Sequence, residues 1–260
     1  MNSLIGLVTL VSLVVQQDPS EIRAAVQNPK VQLALEFVDS QAGNAAQFLS
    51  EIGAIISPSG HEHERAAAVA DRMRAVGLNS VRVDDGPNAV GVIPGRSGRA
   101  IVFISTLDDL ASVADYQRAA GGPPTITPER VVGPGTNTSL SSAALLTAAE
   151  ALVDAGITPE HDLVFAAVAQ EETGLVGMKK IFAEYGDRAD AFIDVLGDGH
   201  SISYGAIGIH WWKVIAAGPP GHTLGGGLPN VNQAIGRAVD RILSLPAASN
   251  TDSTRTRLNA

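Results

Sequence analysis

The stretch LVFAAVAQEETGLVG, residues 163–177, decides the fold of this chain. Leu163 to Val168 form an apolar run with the length and composition of a buried strand. The polar segment QEETG follows, and a helical pattern then runs from Leu175 to Tyr185. A buried strand followed directly by a helix is the repeating unit of α/β proteins. The stretch therefore predicts a strand, a polar turn at its carboxyl end, and a helix.

Strand and helix patterns also alternate along the rest of the chain. Apolar or alternating runs predict strands at Val81–Val83, Ala89–Ile93, Ala100–Ile104 and Ala191–Val195. Apolar residues at helical spacing predict helices at Ser20–Gln27, Val31–Phe48, Glu62–Val76 and Ser141–Ala155, with a Gly/Pro-rich loop at Gly121–Gly135. This order predicts an α/β fold, a mostly parallel sheet flanked by helices.

The pattern changes after residue 206. Residues 207–217 alternate as a strand, GPPG at 218–221 is a sharp break, and residues 232–243 have helical spacing. One strand and one helix are too small to form a domain. We therefore interpret 20–206 as an α/β domain and 207–260 as the start of a second domain.

The N-terminal residues 1–19 resemble a possible signal peptide. Leu4 to Val15 is an almost unbroken apolar run, too short to span a bilayer as a helix. It is typical of the apolar region of a signal peptide, although no lysine or arginine precedes it. We expect a secreted or periplasmic protein. The alternative is that the run is the first core element of a cytoplasmic protein.

The composition excludes several kinds of function. Hydrophobic residues make up 45% of the chain and charged residues 17%, which suits a globular protein with a sizeable core. The net charge of −9 argues against a nucleic-acid partner, because such partners require a basic face. The chain has no cysteine, so a metal would have to bind to histidine, aspartate or glutamate.

Polar residues follow the predicted strands at their carboxyl ends, where ligands bind in open α/β sheets. The adjacent pair Glu171 and Glu172 is the sharpest of these features. One glutamate could move a proton while the other binds a cation, as metal-assisted hydrolysis requires. Alternatively, both are solvated glutamates at the N-terminus of the next helix, where the helix dipole favours negative charge. The pair alone does not decide between these interpretations.

Several motifs, taken in order, resemble the M20 metallopeptidases, with the closest likeness to the peptidase T-like branch. They are TLDD at 106–109, the glycine-rich loop from Gly133, QEETGLVG at 170–177 and GPPGHT at 218–223. The segment PSGHE at 58–62 and the later GPN at 86–88 are also similar. The resemblance runs from about residue 30 to the end of the chain.

The resemblance implies zinc-dependent hydrolysis of a peptide or amide bond in short peptides or acyl-amino acids. Members of the family bind two zinc ions. Glu171 would be the general base, Glu172 a metal ligand, and Asp108 a support for the base. His222 would lie in a lid or dimerisation domain and stabilise the oxyanion of the reaction, often in a partner subunit. The resemblance also implies that 20–206 is an incomplete catalytic domain and that 207–260 is the first part of this α+β lid or dimerisation domain, through which a homodimer would form.

The sequence departs from the family at most metal-ligand positions. The histidine ligand falls on Thr106, the bridging aspartate on Thr138 and a further ligand aspartate on Leu196. The last histidine ligand of the family would lie beyond residue 260. Only Glu172 keeps a ligand side chain. Because zinc needs three or four protein donors, we expect that the metals are not retained and that this chain is inactive.

Two alternatives remain open. Asp109, Asp198 and His200 lie near the lost positions and could form a rewired single-metal site in an active hydrolase. The fold could also act only as a binding or oligomerisation module, without catalysis.

Overall fold

The computed structural model describes residues 19–196, 203, 212–221, 227 and 229–245. The division between two compact units falls between residues 199 and 200. The predicted leader and the candidate residues Asp198, His200 and His222 lie outside the described residues. Among the described residues, no helix is both long and apolar enough to cross a membrane.

The first unit alternates helices and strands. Its helices are α1 Pro19–Val26, α2 Pro29–Ser40, α3 Ala42–Ala54, α4 His63–Ala75, α5 Ala111–Ala120, α6 Thr136–Asp154 and α7 Val176–Tyr185. Its strands are β1 Asn79–Val83, β2 Ala89–Ile93, β3 Ala100–Thr106, β4 Thr125–Ile126, β5 Val131–Val132, β6 Asp162–Val168 and β7 Ala189–Asp194.

A five-stranded sheet in the order β1-β2-β6-β3-β7 forms the centre of this unit. Strands β6, β3 and β7 are parallel, whereas β2 and β1 add antiparallel pairs at one edge. Ala100 of β3 pairs with Asp162 of β6 and with Ala189 of β7, so the three parallel strands begin at one edge. Their carboxyl ends consequently meet at the opposite edge. The predicted α/β class and the flanking helices are confirmed.

Hydrophobic residues fill both faces of the sheet. On one face, Ile52 of α3, Met73 of α4 and Leu146 of α6 belong to one buried cluster with Phe165 of β6. On the other face, Ile181 of α7 packs in a second cluster formed by the central strands. Strands that are buried on both faces consist of continuous apolar residues, as the run at 163–168 does.

Most predicted elements are present, with shifted boundaries. The helix predicted at 31–48 is two helices, because α2 ends at Ser40 and α3 begins at Ala42. Pro29 begins α2 at the position that proline favours, and the Asn28 side chain caps it by accepting from the Lys30 N–H at 3.0 Å. Helix α5 was not predicted. Helix α6 begins at Thr136 rather than at Ser141.

The second unit has one described helix, α8 Val231–Leu243, which confirms the helix predicted at 232–243. The Asn230 side chain caps its N-terminus by accepting from the Gln233 N–H at 3.0 Å. The strand predicted at 207–217 is wrong for the residues described there, because 212–217 belong to no strand. Alternation of apolar and polar residues alone does not suffice to form a strand.

Candidate functional site

The segments that follow β3, β6 and β7 lie side by side at the carboxyl edge of the sheet. Thr106, the last residue of β3, is in register with Val168, the last residue of β6. The Leu107 N–H donates to the Val168 carbonyl at 2.8 Å, and the Val195 N–H donates to the Ile104 carbonyl at 2.9 Å. The topology therefore brings Asp108, the QEETG turn and the end of β7 together.

The turn at 170–172 directs successive backbone N–H groups at buried carboxylates. Gln170 adopts a left-handed conformation with φ of +53°, which is uncommon for a residue other than glycine. Its N–H donates to Glu62 Oε1 at 3.1 Å. The N–H groups of Glu171 and Glu172 donate to Asp108 Oδ1 and Oδ2 at 2.8 and 3.1 Å. Three successive N–H groups are thus satisfied by two buried carboxylates of the chain itself.

Asp108 is fully buried and both of its oxygens are engaged. Besides the two backbone bonds, Oδ2 accepts from the Ser59 hydroxyl at 2.5 Å. This serine lies in the segment PSG at 58–60, which precedes α4 and which we call the PSG turn. Asp108 therefore connects the PSG turn to the turn at 170–172, which we call the acidic turn. Three protein donors satisfy its charge.

Glu62 makes a second connection between the same two segments. It is completely buried, and its Oε1 accepts from the N–H groups of Gly60 and Gln170 at 2.7 and 3.1 Å. Its Oε2 has no hydrogen-bond partner in the described structure. Glu62 thus fixes the backbone that immediately precedes Glu171.

Asp109 forms a buried ion pair with Arg65, with 2.6 Å between Oδ2 and Nη2. Both side chains are 1% exposed. The other carboxylate oxygen accepts a short hydrogen bond from the Thr138 hydroxyl. Asp109 therefore uses both oxygens within the protein, in contrast to the role in a rewired metal site that the sequence left open.

The glutamates of the turn lie among other carboxylates. Burial raises the pKa of Glu171 above its ordinary value, and the charges of Glu172, Asp108 and Asp194 add to this effect. Burial also raises the pKa of Glu172, with Asp108 and Asp109 as further causes, and burial alone raises the pKa of Asp194. Negative charge thus accumulates at this edge of the sheet.

Gly177 allows the start of α7 to pack closely against Asn88, the residue before β2, and against Ala169. A Cβ at this position would lie 2.3 Å from Asn88 Oδ1 and 2.5 Å from the Ala169 carbonyl, which no side chain tolerates. Asn88 is buried, and its Oδ1 accepts from the Ala169 N–H at 3.0 Å. The last glycine of QEETGLVG is therefore required by close approach of the backbone.

The structure brings some of the predicted site residues together. Asp108, Glu171 and Glu172 are adjacent, as predicted from the strand ends. Thr106 and Thr138 are buried, whereas the side chain of Leu196 is 55% exposed. His222 is not among the described residues.

These residues do not fit a pair of zinc ions. Thr106 and Thr138 offer hydroxyls instead of the imidazole and carboxylate that zinc prefers, and Leu196 offers no donor. Both oxygens of Asp108 already accept from protein donors. Across the described part of the chain, no group of three or more histidine, aspartate or glutamate side chains could hold a metal ion.

Sequence reasoning missed Glu62 and Arg65 as site residues. Both lie on the same face of the helix as the apolar stripe of α4, on which Ala66, Val69 and Met73 are buried. A charged residue at a core-facing helical position needs a buried partner. That pattern was the available signal for both residues.

Known proteins give two kinds of likeness. The model of Peptidase family M20/M25/M40 matches residues 117–247. No curated protein sequence matches the chain. Similar solved structures include the di-peptidase Dug1p from Saccharomyces cerevisiae, at 13% identity over 63% of this chain and 40% of that chain, with a TM-score of 0.52. Human carnosine dipeptidase 1 is 17% identical over 63% of this chain and 40% of that chain, also with a TM-score of 0.52.

Aminopeptidase PepT from Bacillus cereus has 21% identity over 60% of this chain and 43% of that chain, with a TM-score of 0.48. The chain thus spans about 40% of the length of these structures. At such identities the structural likeness concerns the fold, and the peptidase T-like branch stays a prediction. The family model covers half of the chain, including the QEETG turn and the loop before α6. The chain belongs to peptidase family M20/M25/M40.

Proposed function

We propose that this chain is a non-catalytic member of its family, a binding or assembly module rather than a zinc hydrolase. The reaction that would be absent is hydrolysis of a peptide or amide bond in dipeptides, other short peptides or acyl-amino acids. Short peptides remain the chemical class that a retained binding site would take.

The absence of ligand side chains at Thr106 and Thr138 carries this proposal, and the nearby Asp108 is already engaged within the protein. Its carboxylate accepts from the Ser59 hydroxyl and from two backbone N–H groups of the acidic turn. The neighbouring Asp109 is neutralised by Arg65. These side chains connect loops of the protein to one another. The hydroxyls of Thr106 and Thr138 are not ligands that would hold zinc. Without a metal ion, the pKa of an attacking water stays far above neutrality.

The pKa of Glu171 favours a second candidate, an active hydrolase with a rewired metal site. A general base works best with a pKa near the operating pH, and burial raises the pKa of Glu171 in that direction. In that case Glu172 would bind the metal together with residues such as Asp198 and His200. The first candidate accounts better for Asp108 and Asp109, whose carboxylate oxygens are all bound to protein donors.

A single experiment separates these candidates. The purified chain is incubated with zinc, cobalt or manganese, dialysed, and analysed for bound metal per chain by elemental analysis, with dipeptide hydrolysis measured in parallel. We expect less than about 0.1 metal ion per chain and no turnover above a protein-free control.

If metal does bind, variants of the two glutamates show which role each of them has. Stoichiometric metal that disappears in Glu172→Ala would overturn the proposal. Turnover lost in Glu171→Gln with metal retained would then identify Glu171 as the base. Glu160→Gln is the matched control, because Glu160 is exposed and lies at the other edge of the sheet.

A further inference from the structure

Arg65 is a charged side chain in a position that normally belongs to the core. It lies in the first turn of α4, and its side chain is 1% exposed. Arginine is rarely so buried unless its charge is paired. Its burial at the carboxyl edge of the sheet therefore needs a specific partner.

The guanidinium has three acceptors from two separate segments. Nη1 donates to the Leu107 carbonyl at 2.9 Å, and Nη2 donates to the Ile55 carbonyl at 2.5 Å and to Asp109 Oδ2 at 2.6 Å. Ile55 is the C-cap residue of α3, whereas Leu107 and Asp109 follow β3. The planar fork of arginine suits such divergent acceptors, which a lysine ammonium cannot satisfy in the same geometry.

Asp109 extends the same network to α6 and to the PSG turn. Its Oδ1 accepts from the Thr138 hydroxyl in the first turn of α6. Its backbone N–H donates to the Ser57 carbonyl at 2.8 Å, and its carbonyl accepts from the Ser59 N–H at 3.3 Å. The side-chain ion pair and the backbone hydrogen bonds of Asp109 thus join the end of β3 to the segments around it.

The location of this ion pair is informative. Thr138 occupies the position at which the family resemblance implies a carboxylate between two metal ions. In this chain the Thr138 hydroxyl donates to the Asp109 carboxylate, whose positive partner is the Arg65 side chain. No metal ion is needed to balance its charge.

We propose that Arg65 is the built-in cation of this site, which holds the strand-end loops in place of a metal ion. The inference rests on the proposed function, since a zinc-loaded site would leave Arg65 no such role. Two consequences follow. The stability of the protein is independent of divalent metal, and removal of Arg65 leaves Asp109 buried without a charge partner.

The test is a set of thermal melts on the full chain. Wild type is melted with EDTA and with excess zinc, and the variants are Arg65→Met, Asp109→Asn and their combination. Arg72→Met is the matched control, because Arg72 lies on the same helix and pairs with Glu150 at 2.6 Å with about a quarter of each side chain exposed.

The wild-type midpoint should change by less than about 1 °C with EDTA or zinc, since a ligand stabilises only if it binds the folded state. Arg65→Met should lower the midpoint by about 10 °C, and Arg72→Met by about 2 °C or less. Adding Asp109→Asn to Arg65→Met should recover about half of the loss, because the unpaired charge is then removed.

The outcomes separate the two proposals. A wild-type midpoint that falls on chelation, with bound metal present, overturns both of them. A metal-free wild type in which Arg65→Met costs no more than Arg72→Met overturns the role of Arg65 alone. If Arg65→Met does not fold, Arg65→Lys decides: it should melt several degrees below wild type, and a wild-type midpoint contradicts the inference.

Discussion

The two edges of the parallel sheet carry carboxylates in opposite environments. At the amino edge, Asp162 accepts from the Gly95 N–H at 2.7 Å and from Arg188 at 2.8 Å, which lowers its pKa below the ordinary value, the backbone bond being the main cause. Asp190 pairs with Arg99 and with His161, and Arg99 is the main cause of its lowered pKa.

At the carboxyl edge, the pKa shifts have the opposite sign. Glu171, Glu172 and Asp194 have raised pKa values because of burial, and for the two glutamates because of neighbouring negative charges. Only Asp109 at this edge has a charged partner among the described ion pairs. The same sheet thus uses charge for stability at one edge and tolerates repulsion at the other.

This difference indicates where the sequence is constrained by something other than stability. Unpaired carboxylates lower stability, and proteins retain such features mainly at functional or formerly functional sites. The pairing of Asp109 with Arg65 is consistent with partial relief of that repulsion. The contrast between the two edges can be tested by adding a charge at the carboxyl edge or by removing a charge at either edge.

The largest effect is expected from Thr138→Asp, which restores the family's carboxylate. The new side chain would share the buried space of Asp109, and Arg65 can balance only one of the two charges. We expect a loss of about 4 kcal/mol of unfolding free energy at pH 7, measured by urea denaturation. Thr138→Ser, which keeps the hydroxyl, should cost less than about 1 kcal/mol. Equal stability of the two variants would refute the buried pair.

Asp108→Ala should have the next largest effect. It removes the acceptor of the Glu171 and Glu172 N–H groups and of the Ser59 hydroxyl. We expect a loss of about 2–3 kcal/mol by the same denaturation method, because donors are left unsatisfied. Asp108→Asn keeps one acceptor oxygen and should lose about half as much. A loss no larger in the alanine variant than in the asparagine variant would contradict this account.

At the amino edge, Asp162→Asn should cost about 1 kcal/mol at pH 7. The pKa of Asp162 is lower in the folded state than in the unfolded state, so its contribution is present above roughly pH 3.9 and is lost as the pH falls further. The stability difference between variant and wild type should therefore disappear in acid, as thermal melts across pH would reveal. A difference that is constant from neutral to low pH would exclude this explanation.

Much of the sheet could be predicted from the sequence. The apolar runs at 100–104 and 163–168 are strands, and the rule that strand ends carry sites placed Asp108 beside Glu171 and Glu172. Helix α5 has only two buried side chains, Ala114 and Gln117, so its apolar pattern is weak. The start of α6 was missed because TNTS at 136–139 is typical of a loop. In the structure, its Thr138 hydroxyl instead binds Asp109.

The interior of the site was harder to predict, because it depends on contacts between residues far apart in sequence. Arg65 and Asp109 are 44 residues apart, and nothing local to either one identifies the other. The position of Arg65 on the apolar stripe of α4 indicates that a partner exists, but not which one. The fold must be known before Asp109 can be chosen over other carboxylates.

The smallest effect is expected from Glu171→Gln. The folded-state pKa of Glu171 is raised, so the folded protein binds more protons than the unfolded chain between the ordinary glutamate pKa, about 4.3, and the raised value. The ionised side chain therefore lowers stability increasingly as the pH rises through this window.

Glu171→Gln should be more stable than wild type at pH 7, by less than about 1 kcal/mol because the side chain is partly solvated. The gain should vanish near pH 4, whereas Glu160→Gln, which removes the exposed ion-pair partner of Arg96, should show no gain at pH 7. A variant that is less stable than wild type at pH 7 would mean that an unseen cation balances Glu171, and the contrast between the two edges would then be lost.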